Sequence, residues 1–384
     1  MNRKVFIHSS DGFPHSGAQA NYIQYLGIIC KEAGYCPILI VRPNDKYVSA
    51  SEISCYKGMK IIPIMASSDN EIHVLQTKNG FSKERIQAMT EAGIASGDIV
   101  ISFQLGYHQK FHENLQTFCK KRKVKSIVCV LEYWGSEDFE TEEKYENFKY
   151  VVDKIYLKYD GIIVISEFLD VHYKEMGAKT FLFPPFSEYD YRPSVEKQYD
   201  KWRFMISSQK DSVQSMLSAF AGLEEKELQR IELHLFGIKE EYILKNINSI
   251  TWERLKKYTV VHDWIKYDEL ISLYQKIHFL LIARSVCQRT ISNFPSKVPE
   301  TMACGVVPIV SDVGDYTKYY LQDRKDSIFM KGDSADEIRK AVRRANDMTI
   351  REYQRFSEYA RQTVRERFDY HIWGPKIKKM LESV

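Results

Sequence analysis

The chain has 384 residues, of which 44 % are apolar and 28 % charged, and its formal net charge is +4. This length is sufficient for two domains that each bury a core, and the composition is typical of a globular enzyme. So small a net charge argues against the strongly basic face that nucleic acid requires, and we predict no nucleic-acid partner.

The seven cysteines are scattered, and no two of them form a CxxC pair. This arrangement predicts reduced thiols and excludes both a disulfide framework and a cysteine-based zinc site, so no metal is expected. The first apolar run is too short for a signal peptide, and the later runs fall far below the roughly 20 residues of a membrane-spanning helix. We therefore predict a cytoplasmic protein.

Short apolar runs rich in Val and Ile alternate with segments of helical period along the whole chain. Such runs are typical of parallel strands that helices cover on both faces. The pattern predicts an α/β fold with two doubly wound domains that face a cleft. The predicted strands span residues 5–8, 38–41, 61–64, 99–103, 127–131, 162–166 and 181–183 in the first half, and 204–207, 233–236, 260–262, 279–283 and 307–311 in the second.

A polar segment at residues 184–202 lies between the two series of strands. It contains Pro184, Pro185 and Pro193 and has no hydrophobic period, which is typical of a linker. We therefore predict an N-terminal domain over residues 1–190 and a C-terminal domain over residues 191–365. The remaining residues, 366–384, are predicted to form a helix that packs back towards the N-terminal domain.

The segment after the strand at 279–283 carries the most informative chemistry. It reads RSVCQRTISNFPSKVPETMACG, from Arg284 to Gly305. An irregular loop is predicted to follow Arg284, and a helix is predicted to begin at Ser296 and to end at Gly305. Lys297 and Glu300 then lie with Arg284 beyond the carboxyl end of a parallel strand, where such sheets bind ligands. The two cations and the free N–H groups of the helix start predict a diphosphate site.

The end of this segment, PSKVPETMACG, resembles the C-terminal signature of the GT-B glycosyltransferases, specifically the retaining glycosyltransferase family 4 group. In that group an Arg after a strand is followed by P-S/T-K-x-x-E-x-M-A-x-G. Residues 154–186, 263–284 and 360–373 also resemble parts of the family, and the resemblance is close from about Trp264. It implies two Rossmann-like domains and transfer of a sugar from a nucleoside diphosphate-sugar to an acceptor hydroxyl, with retention and without a metal.

The resemblance also implies the roles of individual donor-site residues. Glu300 corresponds to the family Glu that binds the nucleotide ribose hydroxyls, and Arg284, Lys297 and Lys210 would face the donor phosphates as catalytic cations. The Arg that usually precedes the Lys at position 210 is missing, so Arg284 is expected to take its place. Ser292 stands where the family often has a second Glu. The other donor contacts that we predict are Ser296, Asn293, Trp264 and, in the N-terminal glycine loop, Ser16 and Gly17.

Each of these residues also has a structural interpretation. Glu300 could favour a helix start by its charge alone, Lys297 could be a solvated first-turn lysine, and Arg284 could pair with Asp312. Glu132, which follows the strand at 127–131 where the family often has a His, is a candidate acceptor-side group, although a structural role fits it better. The coincidence of Arg284, Lys297 and Glu300 at one strand end is what favours a site.

A glycan or lipid-linked acceptor of surface polysaccharide or glycoconjugate synthesis is expected, and a UDP-sugar is the first expectation for the donor, with no further cofactor. The basic residues 120–125 (KKRKVK) are typical of a solvated helix end, or alternatively of a patch at the inner face of the membrane. Two other functions remain open. One is a nucleotide-sugar epimerase of the same fold, and the other is a catalytically silent module that binds a glycan or a partner.

Overall fold

The computed structural model of this chain describes residues 3–44, 46, 54–64, 80–104, 108–189, 197–207 and 212–384. These residues form two compact units, each built on its own β-sheet. The N-terminal unit comprises Met1–Phe186, Ser292–Phe294 and Tyr370–Val384, and the C-terminal unit comprises Ser187–Ile291 and Pro295–Asp369.

The described strands of the N-terminal unit form one sheet of eight: β1 (Lys4–Phe13), β2 (Cys36–Pro43), β3 (Cys55–Tyr56), β4 (Met59–Pro63), β5 (Ile99–Phe103), β6 (Lys125–Val130), β7 (Gly161–Val164) and β8 (Thr180–Leu182). Their order is β3-β4-β2-β1-β5-β6-β7-β8, and every neighbouring pair is parallel except β3 with β4. Because the chain winds away from β1 in both directions, the sheet is doubly wound and its topological switch point lies between β1 and β5.

Helices connect these parallel strands, because a parallel pair needs a crossover rather than a tight turn. The described α-helices that precede the C-terminal unit are α1 (Ala18–Glu32), α2 (Gly80–Glu91), α3 (Gln109–Arg122), α4 (Glu142–Tyr150) and α5 (Glu167–Glu175). Helix α3 ends in three cations, and Lys123 follows it in the left-handed conformation with φ 54°. Residues 120–123 of the basic run therefore form a helix end, as predicted, where cations suit the free carbonyl groups, whereas Lys125 begins β6.

The described strands of the C-terminal unit form a sheet of six: β9 (Trp202–Ile206), β10 (Ile231–Phe236), β11 (Thr259–His262), β12 (Phe279–Ile282), β13 (Val307–Ser311) and β14 (Ile328–Met330). Their order is β11-β10-β9-β12-β13-β14, and all pairs are parallel. The switch point therefore lies between β9 and β12. The helices are α6 (Val213–Ala221), α7 (Glu225–Leu228), α8 (Glu240–Asn246), α9 (Ser249–Leu255), α10 (Tyr267–Tyr274), α11 (Gln288–Ser292), α12 (Lys297–Met302), α13 (Ala335–Asn346) and α14 (Ile350–Arg367).

The C-terminal segment of the chain packs within the N-terminal unit and ends in helix α15 (Gly374–Ser383). The rings of Tyr25 in α1 and Tyr370 stack with centroids 5.2 Å apart, and Lys179 donates to the carbonyl of Ser383 at 2.5 Å. Helix α15 buries Ile377 and Leu381 completely. Burial of such a side chain contributes about 1.5–3 kcal/mol, so the final segment is part of the core of this unit.

The α/β class and the two doubly wound, Rossmann-like domains agree with the prediction from the sequence. Every predicted strand is present, with ends that differ by a few residues. The prediction missed β3 and β14, which are too short to show an apolar run. It was also wrong on the loop after Arg284, which contains helix α11, and on the next helix, which ends at Met302 instead of Gly305. Among the described residues, no helix combines the length and the apolar character needed to cross a membrane.

Candidate active site

The carboxyl edge of the C-terminal sheet gathers the polar residues that follow β9, β11, β12 and β13. This edge is where open parallel sheets bind ligands, above all at the switch point between β9 and β12. Arg284 lies two residues beyond β12, and Trp264 lies two residues beyond β11. The segment after β9 includes Lys210, which lies outside the described residues, so its proposed phosphate contact stays a prediction.

Arg284 is held by the end of the neighbouring strand β13. Its backbone N–H donates to Ser311 Oγ at 2.9 Å, and that hydroxyl donates to the carbonyl of Gly332 at 3.0 Å. The guanidinium hydrogen-bonds the hydroxyl of Tyr316. Burial lowers the pKa of the Arg284 guanidinium, but an arginine remains protonated at any physiological pH. A full positive charge therefore sits half-buried next to the switch point.

Lys297 and Glu300 lie on α12, which begins at the same edge because it follows β12 and precedes β13. The ammonium of Lys297 is 3.4 Å from the hydroxyl of Tyr274, and the ring of Tyr274 contacts Phe236, the last residue of β10. Glu300 is only 8 % exposed. A carboxylate is rarely buried unless it is partnered, so the burial of Glu300 in the first turn of α12 indicates a specific role at this edge.

Ser296 precedes α12 with helical backbone angles, φ −59° and ψ −23°. Helix α12 has only six residues, and the charge of a helix terminus grows with aligned peptide dipoles. The side chains of Lys297 and Glu300 therefore carry more of the electrostatics than the helix does. Gly305 adopts φ 73°, a left-handed conformation that glycine adopts without strain, in the turn that follows the helix. Trp264 is 49 % exposed, so its indole is available to a ligand.

The structure assigns the remaining predicted residues, Ser16, Gly17, Glu132 and Asn293, to the N-terminal unit. Ser16 donates its hydroxyl to the carbonyl of Gly12, and Gly17 precedes α1 with φ 148°. Only glycine adopts that angle without strain, and the space around its Cα is open. The glycine loop therefore follows β1 at the switch point of its own sheet.

Glu132 lies beyond β6 in a turn whose backbone is held by Gln104. The amide of Gln104 donates to the carbonyl of Glu132 at 2.9 Å and accepts from the N–H of Leu131 at 3.1 Å. The side-chain amide of Gln104 therefore holds the backbone of this segment in place. The half-buried side chain of Glu132 remains a candidate acceptor-side group, and its proposed role is untested.

Ser292, where the family often has a Glu, is completely buried and has a structural role. Its hydroxyl accepts from the N–H of Tyr133 at 2.8 Å and donates to the carbonyl of Tyr133 at 3.1 Å. Ser166 donates to the carbonyl of Ser292 at 2.5 Å. The Tyr133 hydroxyl in turn donates to Asp153, which His172 also contacts at 2.9 Å. None of these partners could be found from local sequence, because they lie far apart along the chain.

No group of three His, Cys, Asp or Glu side chains within the described ranges is arranged to hold a metal ion. The charged residues that follow β11, β12 and β13 include the cations Arg284 and Lys297, the buried carboxylates Glu300 and Asp315, and the exposed Asp263 and Asp312. Such a set suits an anionic ligand that also carries hydroxyl groups.

Comparisons with known proteins concern the C-terminal unit and the overall fold. Residues 207–363, which contain the candidate site of the C-terminal unit, match the family model described as Glycosyl transferases group 1. A search of curated proteins found no significant match.

Among solved structures, the chain is similar to sucrose-phosphate synthase from Thermosynechococcus elongatus, with a TM-score of 0.75, 14 % identity, and coverage of 99 % of this chain and 98 % of that one. A glycosyltransferase from Rickettsia africae gives a TM-score of 0.71 and 12 % identity over 99 % and 98 % of the two chains. Anabaena HepE, solved in complex with UDP and glucose, gives 0.71 and 11 % over 100 % of both chains. At these identities the likeness shows the fold alone, and that fold is the one shared by GT-B glycosyltransferases.

Proposed function

We propose that this chain is a glycosyltransferase that transfers a sugar from a nucleoside diphosphate-sugar to an acceptor hydroxyl. One observation carries the proposal: Arg284, Lys297 and Glu300 lie at the carboxyl edge of the C-terminal sheet, within the segment that matches the glycosyl transferases group 1 family. The donor would bind at this edge, next to the switch point between β9 and β12.

The two cations suit the departing diphosphate. Negative charge grows on the β-phosphate as the bond to the sugar breaks, and fixed positive groups stabilise that charge without reorganisation. The guanidinium of Arg284 presents parallel N–H groups to phosphate oxygens, whereas the ammonium of Lys297 acts as a point charge. Lys210 would add a third cation.

Glu300 and Trp264 would bind the nucleoside part of the donor. A carboxylate accepts hydrogen bonds from both hydroxyls of a ribose, and an exposed indole offers an apolar face to a base. A UDP-sugar is the first donor to test, and the UDP in the HepE structure supports that choice on fold similarity only.

The finer parts of the proposal concern the reaction and its setting. Membership of glycosyltransferase family 4 would bring retention at the anomeric carbon and independence of metal, with Ser16, Gly17, Ser296 and Asn293 as further donor contacts. Glu132 would act on the acceptor side. The acceptor would be a glycan or lipid-linked intermediate of cell-surface polysaccharide or glycoconjugate synthesis, handled in the cytoplasm. The cations after α3 would allow peripheral contact with an anionic membrane surface, at about 1 kcal/mol for each cation near that surface.

The test is a thermal-shift panel of UDP, GDP, ADP, CMP and their sugar conjugates, followed by product analysis with the donor that binds. Stabilisation by one family of nucleoside diphosphates supports the transferase and identifies the base. Conversion of the donor sugar without any acceptor would replace the transferase by an epimerase. The absence of any shift across the panel would contradict the proposal and leave a binding module.

A further inference from the structure

The backbone and the side chain of Arg284 are both linked by hydrogen bonds to Ser311 of the neighbouring strand β13. Its backbone N–H donates directly to Ser311 Oγ at 2.9 Å. Its guanidinium reaches Ser311 through Tyr316, whose hydroxyl donates to the carbonyl of Ser311 at 3.0 Å. All these groups lie in the C-terminal unit. The network therefore leaves the Arg284 side chain little freedom at the end of β12.

The direction of each hydrogen bond follows from the chemistry of the phenol. A Tyr hydroxyl has one proton and accepts through its oxygen, whereas a guanidinium only donates. Since the proton of Tyr316 goes to the Ser311 carbonyl, the oxygen faces Arg284 as an acceptor. Tyr316 is fully buried, so water does not compete for either bond.

The turn that carries Tyr316 is itself held close to the loop after Arg284. Gly314 adopts φ 78°, and a Cβ at that position would lie 3.0 Å from the carbonyl oxygen of Thr290 in α11. The hydroxyl of Thr290 donates to the carbonyl of Ser285 at 2.7 Å, which closes the turn that leads into α11. A close approach of two ordered turns therefore places the phenol against the guanidinium.

The group that contacts the Arg284 guanidinium, the phenol of Tyr316, is neutral. Burial raises the pKa of Tyr316 to about 12, so the phenol is protonated at physiological pH. A carboxylate in this place would also orient the guanidinium, but it would cancel much of the charge that a diphosphate needs. The like charge of Arg289, which further lowers the pKa of Arg284, adds to the positive potential of the loop.

We propose that Tyr316 is a positioning residue for the transfer reaction: its hydroxyl orients the Arg284 guanidinium towards the donor diphosphate while leaving its charge intact. This inference rests on the proposed function of Arg284. Tyr316 touches no reacting atom and acts only through Arg284. Loss of its hydroxyl should therefore matter only when Arg284 is present.

A double-mutant cycle tests this dependence, with Tyr316→Phe, Arg284→Ala and the double variant assayed for kcat and for the donor KM. We expect Tyr316→Phe to lower kcat about tenfold, as for a lost hydrogen bond to a charged group, with little change in KM. In the Arg284→Ala background the same change should cost less than about twofold. Tyr319→Phe, on the same short turn Tyr316–Tyr320 but exposed, is the matched control and should equal the wild type.

Chemical rescue separates positioning from a purely structural effect. Added guanidinium ion should restore part of the turnover of Arg284→Ala and restore much less in the double variant, because the phenol that orients the ion is absent. The inference would be overturned if Tyr316→Phe lowered kcat by the same factor with and without Arg284, or if guanidinium ion rescued both Arg284→Ala proteins equally. This holds even if Tyr316→Phe also lowers the melting temperature. If the wild-type protein is active and Tyr316→Phe has the same kcat, the inference is overturned but the proposed function stands. A wild-type protein that binds no nucleoside diphosphate would overturn the proposed function and the inference together.

Discussion

The hydroxyl of Ser292 hydrogen-bonds both backbone polar groups of Tyr133, accepting from the N–H at 2.8 Å and donating to the carbonyl at 3.1 Å. The two residues are separated by 159 positions in the chain, and both belong to the N-terminal unit. Ser292 thus satisfies the backbone N–H and carbonyl of Tyr133, which lies three residues beyond β6.

Replacement of Ser292 should therefore affect folding before it affects chemistry. Ser292→Ala leaves the buried N–H of Tyr133 without its acceptor and should lower the free energy of unfolding by about 1–3 kcal/mol. Ser292→Glu should be worse, because it buries a carboxylate as well. Denaturant unfolding followed by circular dichroism measures both. Ser285→Ala, at an exposed serine of the same segment, is the control, and equal stability of Ser292→Ala and this control would contradict the assignment.

Glu300 should bind the ribose of the donor. Glu300→Ala should weaken the binding of a nucleoside diphosphate more than tenfold, because it leaves the ribose hydroxyls without a partner (about 1.4 kcal/mol or more). Isothermal titration calorimetry with UDP measures the change. Glu337→Ala removes a first-turn acidic residue from α13 in the same unit and should leave the affinity unchanged. If the two variants bind UDP equally well, Glu300 is only a helix-start residue.

Arg284 should act more strongly on turnover than on donor affinity, because the charge that it faces grows in the transition state. Arg284→Ala should lower kcat by about a hundredfold or more while the Kd of the donor changes less than about tenfold. Arg284→Lys should recover only part of the loss, since an ammonium lacks the parallel N–H groups. Arg351→Ala, at an exposed position in α14, is the control in single-turnover assays. If the affinity for the donor falls by the same factor as kcat, Arg284 acts in ground-state binding.

His278 should make the C-terminal unit sensitive to acid. Its Nδ1 accepts from the N–H of Arg203 at 3.0 Å, and burial, with the nearby charges of Lys197 and Arg203, lowers its pKa to about 3. The unfolded chain binds a proton near pH 6.5, whereas the folded protein binds it only near pH 3. The contribution of His278 to the free energy of unfolding is therefore complete above pH 6.5 and is lost as the pH falls towards 3.

His278→Asn keeps an acceptor for Arg203 and removes the titration. Between pH 6 and pH 4 its free energy of unfolding should fall less steeply than that of the wild type, by about 1.4 kcal/mol per pH unit. At pH 8 His278 is unprotonated in both the folded and the unfolded protein, so the comparison there measures only the effect of the substitution on packing. Parallel pH curves for the two proteins would show that His278 does not titrate in this way.

The strands and the first candidate residues could be read from the sequence because both are local features. Residues 307–310 form one uninterrupted apolar run, and all of β13 is buried, as that run predicts. The positions of Arg284 and Lys297 relative to β12 follow from counting along one segment. Helix α11 was not predicted from the sequence, because five residues of polar composition show no detectable period. The turn that leads into it also depends on the hydrogen bonds of Thr290.

The sequence by itself determined the alternation of strands and helices, the two doubly wound sheets, and the basic and acidic groups that follow β12. Only the tertiary structure decided that Ser292 serves Tyr133 and that Tyr316 holds Arg284. The reason is physical. The hydrophobic pattern of a segment indicates which of its side chains face a core. The partner of a buried polar group depends instead on which strands and turns lie side by side in the folded protein.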